Sequence, residues 1–248
     1  MQKIILTLPT YNEAQNIEKF IGCLLEQFPQ IEANGEFVVE ILVVDDFSPD
    51  GTGDIVKKIA ENNPKVHLIQ KEKKGLGAAY IFGFNHAINE LKADWIVEMD
   101  SDFSHKPQDL PRFVKEAKKG ATFVIGSRYV KGGSIPNNWA YWRKLNSKYG
   151  NIFARYVAGL YGVKDCTSGF RLISAELVKK LDLGKMNATG YSFQMNILYE
   201  LVRRGAVVSE IPIQFTDREF GESKLGLKDI AEFMKNAFTL RIKRTFGG

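Results

Sequence analysis

Trp95-Ile96-Val97-Glu98-Met99-Asp100-Ser101-Asp102 is the stretch that decides the fold. The short apolar run from Trp95 to Met99, bounded by polar residues, predicts a buried strand. Its C-terminal edge then carries two carboxylates one residue apart. Open α/β sheets bind ligands in the crevice at such edges. Two neighbouring acids repel unless a cation lies between them. A hard divalent ion, held by one or two carboxylates and a substrate diphosphate, meets that need. An isolated pair of this kind is more often an ordinary polar corner. Here a second acidic corner, Asp45-Asp46, follows a second apolar run, Ile41 to Val44. Two acidic strand ends in one sheet point to a metal–nucleotide site.

Outward from this stretch the chain alternates. Ile4 to Leu8, Phe37 to Val44, Val66 to Gln70, Trp95 to Met99 and Thr122 to Gly126 read as strands. Pro9 ends the first, and Thr10-Tyr11-Asn12-Glu13 has the spacing of a capping box. That spacing predicts a helix running to about Phe28, with Ile17, Phe20, Ile21, Leu24 and Leu25 on one face. Further helices are expected from the Asp50-Gly51-Thr52-Gly53 turn to near Asn62-Asn63-Pro64, over Gly75 to Leu91 and over Pro107 to Gly120. Strand–helix alternation predicts an α/β fold with a mainly parallel central sheet flanked by helices. The second half is less regular: helices over Trp139 to Leu160 and Phe193 to Arg204, then a strand over Val207 to Ile213. No linker or repeat divides residues 1–248, so a single domain is expected.

Residues 226–245 read as a basic amphipathic helix, with Leu227, Ile230, Ala231, Met234, Ala237 and Phe238 on one side and Arg241, Lys243 and Arg244 at its end. The pattern suits an anionic membrane surface and equally a terminal helix docked on the core, its cations favouring the C-terminus.

Apolar residues make up 44% of the chain, enough for a core, and the formal charge of +5 suits an anionic partner: nucleotide, phospholipid or nucleic acid. No reader motif supports nucleic acid. Cys23 and Cys166 form no metal-binding spacing, so free thiols are expected. No stretch reaches the ~20 apolar residues of a membrane span, and the N-terminus lacks a signal-peptide layout. The expectation at this point is a cytosolic protein or a peripheral one on the cytoplasmic face of a membrane.

Gly75-Leu76-Gly77 opens a helix, but Tyr80 stands where a dinucleotide fingerprint needs its third glycine, and Gly83 is out of register. Walker A, zincin and nucleophile-elbow patterns are missing. His105, three residues after Asp102, is a candidate phosphate or supporting contact. Arg128, Arg143, Arg171, Arg218 and Lys224 recur in polar, turn-rich contexts. Arginine suits bidentate phosphate recognition and lysine a point-charge contact.

Five ordered motifs become recognisable together: Leu8-Pro9-Thr10-Tyr11-Asn12-Glu13, Val44 to Thr52, Met99 to His105, Gly126-Ser127-Arg128-Tyr129 and Thr167-Ser168-Gly169-Phe170-Arg171. Over nearly its whole length the chain resembles the dolichol-phosphate mannose synthases, or polyprenol-phosphate mannosyltransferases: inverting glycosyltransferases of family 2 with the GT-A fold. The resemblance implies metal-dependent transfer of mannose from GDP-mannose to dolichyl or polyprenyl phosphate, with Mg2+ or Mn2+ as cofactor. It implies that Pro9, Tyr11, Asn12 and Glu13 line the nucleoside, with Asp45 and Asp46 near base and ribose. Asp100, Ser101 and Asp102 match the metal and diphosphate motif, and Ser104 stands beside the metal. Arg128, Arg143 and Ser147 match acceptor-phosphate positions, Arg218 and Lys224 a loop that closes on the donor phosphates. Asp102, Arg128 and Arg143 are thereby the expected catalytic set, and Arg171 the holder of its own loop.

The residue types agree with the chemistry. A departing nucleoside diphosphate needs cationic stabilisation, and a lipid phosphate, ionised near neutrality, needs alignment more than a base. Two departures stand out. Relatives usually carry a carboxylate where this chain has Asn196, which bears on sugar or acceptor specificity. Several microbial relatives continue into transmembrane helices, whereas this chain stops at Gly248; peripheral docking, a membrane-anchoring subunit or truncation would each account for that. A UDP-glucose-dependent enzyme on the same fold and a non-catalytic binding module remain the alternatives.

Overall fold

The computed structural model describes residues 1–186, 190–217 and 227–246. Strands β1 (Gln2–Thr10), β2 (Phe37–Asp45), β3 (Val66–Gln70), β4 (Trp95–Glu98), β5 (Phe123–Ser127), β6 (Arg171–Ser174) and β7 (Val208–Pro212) form one sheet in the order β3-β2-β1-β4-β6-β5-β7. Helices α1 (Ile17–Leu25), α2 (Phe28–Glu32), α3 (Thr52–Asn62), α4 (Leu76–Asn89), α5 (Leu110–Lys118), α6 (Tyr141–Val157), α7 (Ala175–Val178), α8 (Gly190–Arg203) and α9 (Leu227–Phe246) flank it. Both faces are covered, which is why the strands read as apolar runs rather than alternating patterns. Ile4, Leu6, Leu8, Ile41 and Val43 pack with Phe20 and Leu24 of α1, Val56 of α3 and Phe113 of α5. Ile5, Leu42 and Val44 face the other way, with Tyr80 and Phe84 of α4, Ile197 and Leu201 of α8 and Ala237 of α9.

Pairing is parallel from β3 through β2 and β1 to β4, and again between β5 and β7. Only β6 runs against its neighbours, antiparallel to both β4 and β5. Its four residues, headed by a charged side chain, gave too short a pattern to be read as a strand from sequence. The reversal places the beginning of β6, Arg171, opposite Glu98 at the end of β4 and Ile125 near the end of β5. The segment before β6 therefore reaches the same sheet edge as the segments after β1, β2, β4 and β5.

The expected capping box does not form. Thr10 is the last residue of β1, and its hydroxyl donates to Asp45 Oδ1 at 3.2 Å. Asn12 then turns through a left-handed φ of 63°, and α1 starts only at Ile17. Glu13 serves the helix start differently: its carbonyl accepts from the amides of Asn16 and Ile17, and its carboxylate from Asn16 Nδ2 at 2.9 Å. Gly83, out of register for a dinucleotide fingerprint, has a packing reason. A Cβ there would lie 2.4 Å from Thr7 Cγ2 and 2.9 Å from Val44 Cγ2, so its absence lets α4 seat closely on β1 and β2. Cys23 and Cys166 are free thiols, and burial pushes that of Cys166 up to about 12.

Thr7, Glu98 and Arg171 are register partners in one row across β1, β4 and β6. Glu98 and Arg171 are wholly buried, with Arg171 Nε 3.8 Å from Glu98 Oε2. Arg171 also donates to the carbonyls of Gln194 (2.8 Å) and Cys166 (3.0 Å). Burial pushes the Glu98 carboxyl up from 4.5 to about 7, against the opposing pull of Arg171. Below its ordinary value of 4.5 the acid is protonated in both folded and unfolded chains; between 4.5 and about 7 only the unfolded chain gives up its proton, so stability falls as pH rises across that window. Glu98→Gln removes this slope. Urea unfolding at pH 5 and pH 8 is expected to show the stability difference moving in the variant's favour by on the order of 2–3 kcal/mol.

Candidate functional site

The crevice lies at the C-terminal edge of the parallel strands, where the order of the sheet reverses between β1 and β4. Three non-glycine residues with left-handed φ stand just past strands at this edge: Asn12 after β1 (63°), Phe47 after β2 (48°) and Phe103 after β4 (61°). Such strained positions cluster at functional sites. Side chains of the β2–α3 loop hold the β1–α1 loop in place: Ser48 Oγ accepts from the Asn12 amide at 3.1 Å, Thr52 Oγ1 from Glu13 at 2.9 Å and Asp50 Oδ2 from Ala14 at 3.0 Å.

Asp45 is fully buried and accepts from the hydroxyls of Thr10 and Ser48, the Ser48 amide and Gln70 Nε2. Its carboxylate organises the corner. Asp46 pairs with Lys71 Nζ at 2.8 Å, both side chains being nearly enclosed. Pro9 sits in β1 opposite Val44 of β2, and Tyr11 is exposed at the surface with Lys73 Nζ 3.1 Å from its ring centroid.

In the Asp100-Ser101-Asp102 turn, Asp102 Oδ1 accepts from the Ser104 amide at 3.0 Å, and Asp102, Ser101 and Ser104 are all buried. His105 lies under this turn, packed on Phe170 and Phe215, and its Nδ1 accepts from the Asp100 amide at 3.3 Å. That contact makes it a support for the turn. Ser104 Oγ is buried without a hydrogen-bond partner among the described residues. Among the described residues no three His, Cys, Asp or Glu side chains converge as a metal cage. The donor set is two carboxylates and an unsatisfied hydroxyl, all oxygen, which fits a hard divalent cation that takes its remaining ligands from a diphosphate and water.

Arg128, Arg143 and Ser147 meet around one cavity of about 310 Å³, open between α6 and α9. Asn151 and Thr167 line it too, bonded to each other and, through Thr167, to Arg128, and Phe153, Ile230, Phe233 and Met234 add apolar lining. Arg128 follows β5 and is gripped by Asp165, whose carboxylate accepts from Nε (2.8 Å), Nη2 (2.7 Å) and the Arg128 amide (3.0 Å). Burial would raise the Asp165 carboxyl; the charge and hydrogen bonds of Arg128 hold it below the usual range. The Arg143 guanidinium lies 3.9 Å from the Trp139 ring centroid, and its Nη1 is 3.7 Å from Asp217 Oδ1. Ser147 Oγ is 2.6 Å from Tyr129 Oη. Asp217 also accepts from Trp139 Nε1 at 3.2 Å, while its neighbour Thr216 donates from Oγ1 to the Phe103 carbonyl at 2.7 Å.

Arg218 and Lys224 lie outside the described residues. Asn196 does not line the cavity; its Oδ1 accepts from Asn236 Nδ2 at 2.8 Å and ties α8 to α9. The sequence reading passed over Asp165, Trp139, Asn151 and Thr167 as site residues. Asp165 stands only two positions before the Thr167-Ser168-Gly169-Phe170-Arg171 motif, a spacing that could have flagged it. Of the two readings of α9, docking on the core holds, through a different stripe: Phe233, Ala237 and Leu240 are buried, whereas Ala231, Met234 and Phe238 are exposed. On α6, Tyr141, Trp142, Tyr149, Ile152 and Tyr156 are exposed as well. No helix among the described residues is long and apolar enough to cross a membrane.

Residues 6–182 match the family described as glycosyl transferase family 2. The chain is 39% identical over 235 residues to the polyprenol monophosphomannose synthase of Mycolicibacterium smegmatis, covering 94% of this chain and 84% of the relative. It is likewise 39% identical over 235 residues to the undecaprenyl-phosphate mannosyltransferase of Micrococcus luteus, covering 94% and 92%. Among solved structures, glucosyl-3-phosphoglycerate synthase from Mycobacterium tuberculosis, in complex with Mn2+ and UDP-glucose, matches with a TM-score of 0.67 at 18% identity over 98% of this chain and 79% of that one. A mannosyltransferase from Pyrobaculum calidifontis in complex with GDP-Man and Mn2+ matches with a TM-score of 0.58 at 17% identity, over 99% and 64%. At these identities the two structures speak for the fold.

The bonding of Asp45 generates an expectation. Asp45→Ala orphans the buried hydroxyl of Thr10 and the half-buried donors of Ser48 and is expected to lower stability by about 2 kcal/mol, read as a fall in the urea midpoint. Lys73→Ala, at the surface, should shift it by less than about 0.5 kcal/mol.

Proposed function

The chain belongs to glycosyl transferase family 2 and is a glycosyltransferase of GT-A fold; from that premise we propose that it transfers mannose from GDP-mannose to a polyprenyl or dolichyl phosphate, with inversion at the sugar. The observation that carries the reading is the cavity between α6 and α9. Its lining combines two arginines and a serine, suited to a phosphate, with Phe153, Ile230, Phe233 and Met234, suited to an isoprenoid chain. Both 39%-identical relatives are named for mannosyl transfer to a polyprenyl phosphate, which supports the same acceptor class and sugar here.

Asp100, Asp102 and Ser104 would hold a divalent cation, Mg2+ or Mn2+. When bound, such a cation supplies positive charge to the departing diphosphate. The chain's own residues do the rest. Arg128 and Arg143 hold the acceptor phosphate in line with the bond to be broken. The phosphate oxygen is already ionised near neutrality, with a second pKa of about 6, so no side chain takes a proton from it and Asp102 has no role as a base. In-line displacement converts an α-linked donor sugar into a β-linked lipid phosphate sugar. Asp46, paired with Lys71 beside the buried Asp45, would contact the base or ribose.

Such an acceptor lives in a membrane, and the exposed aromatics of α6 with Met234, Phe238 and Ile242 of α9 supply an apolar surface beside the cavity. Lys148, Lys235, Arg241 and Lys243 are exposed on the same two helices. Aromatic and basic side chains together suit docking at an anionic interface.

The test is transfer of radiolabelled sugar to a short polyprenyl phosphate with Mn2+ or Mg2+. Label is expected in the organic phase from GDP-mannose; label from UDP-glucose alone would overturn the sugar, and label from neither, with folded protein, would favour a binding module. Asp102→Ala is expected to lower transfer at least a thousandfold, about the loss seen on removing a main electrostatic contributor, with its thermal melt within a few degrees of the parent. Arg143→Ala should raise the KM for lipid phosphate about tenfold or more while GDP affinity stays within twofold.

A further inference from the structure

Resting on the acceptor-phosphate role proposed above for Arg128, we infer that Asp165 is a positioning residue for the transfer reaction: it sets the plane in which the Arg128 guanidinium meets the acceptor phosphate. Asp165 has no exposed surface and the Arg128 side chain only 8%. The carboxylate takes Nε and Nη2 of the guanidinium side-on, together with the backbone amide of the same residue. Three bonds to one carboxylate fix both the start and the end of the Arg128 side chain. The second hydrogen of Nη2 goes to Thr167 Oγ1 at 2.8 Å. Arg128 thus reaches the cavity with its orientation already determined, and binding need not supply the entropy of ordering a long side chain.

The segment carrying Asp165 is itself held from several sides. Glu210 of β7 accepts from the amides of Lys164 (2.7 Å) and Asp165 (2.9 Å). Asn151 of α6 accepts from the Cys166 amide at 2.8 Å and donates to Thr167 Oγ1 at 3.1 Å. Arg171 donates to the Cys166 carbonyl. Strand, helix and sheet edge therefore converge on a short turn whose one buried charge points at one arginine. A carboxylate placed only for stability needs no such frame, and a buried ion pair is a weak source of stability. The pairing also lowers the net charge beside the cavity, so phosphate capture there depends on aimed N–H groups rather than on excess positive charge.

A double-mutant cycle tests this, read by steady-state transfer to a short polyprenyl phosphate and by calorimetric titration of the same lipid phosphate and of GDP. Asp165→Asn is expected to lower kcat/KM for the acceptor about a hundredfold, the scale of a misplaced contact, with GDP affinity within twofold of the parent. In an Arg128→Ala background the same change should cost less than about threefold, because a residue that acts through Arg128 has nothing left to position. An equal loss in both backgrounds, or a parallel fall in GDP affinity, would overturn the inference and leave Asp165 a structural residue. Should Asp165→Asn not fold by thermal melting, Thr167→Val removes one partner of Arg128 and no charge; a loss of about tenfold is expected, and parent-like acceptor kinetics would overturn the inference. Parent protein that binds GDP but neither binds nor uses the lipid phosphate would refute the functional reading and this inference with it. A parent that does both, with Asp165→Asn equal to it, would refute the inference alone.

Discussion

A guanidinium sealed from water holds the middle of this molecule. Arg171 sits at the one place where the sheet changes direction, opposite Glu98 on β4, and spends its other nitrogens on carbonyls of the segment before β6 and of α8. Desolvating two charges offsets most of what their attraction returns; the raised Glu98 carboxyl records that burial outweighs the attraction. What the contact secures is placement. It fixes β6 against β4, and with it the turn through Cys166 on which Arg128 leans.

Much of this was legible in the sequence because the first half obeys simple rules. Short, mostly apolar runs separated by amphipathic helices predict a covered, mainly parallel sheet, and the same pattern puts Asp45-Asp46 and Asp100-Ser101-Asp102 at its carboxyl edge. The failures have physical reasons. Thr10 carries a capping-box pattern, but its hydroxyl is committed to Asp45 across the sheet, a long-range demand that local spacing cannot reveal. Strand β6 consists of four residues beginning with an arginine, and neither length nor periodicity marks it. The inward stripe of α9 passes through Phe233 and Leu240, because the helix packs against both α6 and α8 and its apolar residues are spread too widely round the axis for pattern alone to choose.

The site is built from opposed charges rather than from an accumulation of positive ones. Arg128 is matched by Asp165, Arg143 is approached by Asp217 and Lys71 is matched by Asp46. Each cation has a carboxylate that limits where it can point. The overall excess of +5 is a long-range attraction that salt screens, whereas the enclosed pairs Arg128–Asp165 and Lys71–Asp46 are screened much less. Selection among anionic ligands follows from direction, and attraction to an anionic surface from number.

Thr216 and Asp217 are consecutive, yet they reach in different directions. Thr216 grips the turn after β4 through both its amide and its hydroxyl, and Asp217 grips Trp139 and stands beside Arg143. One peptide unit thus separates a tether to the acidic turn from a contact with Arg143. Surface connections ordinarily absorb insertions and deletions with little effect. Here a change of one residue in length would hand each tether to the wrong neighbour, so this short stretch can drift in composition only where the count of residues stays the same. Its length works as a ruler between the acidic turn and Arg143, and among natural variants of this chain gaps should fall on either side of it.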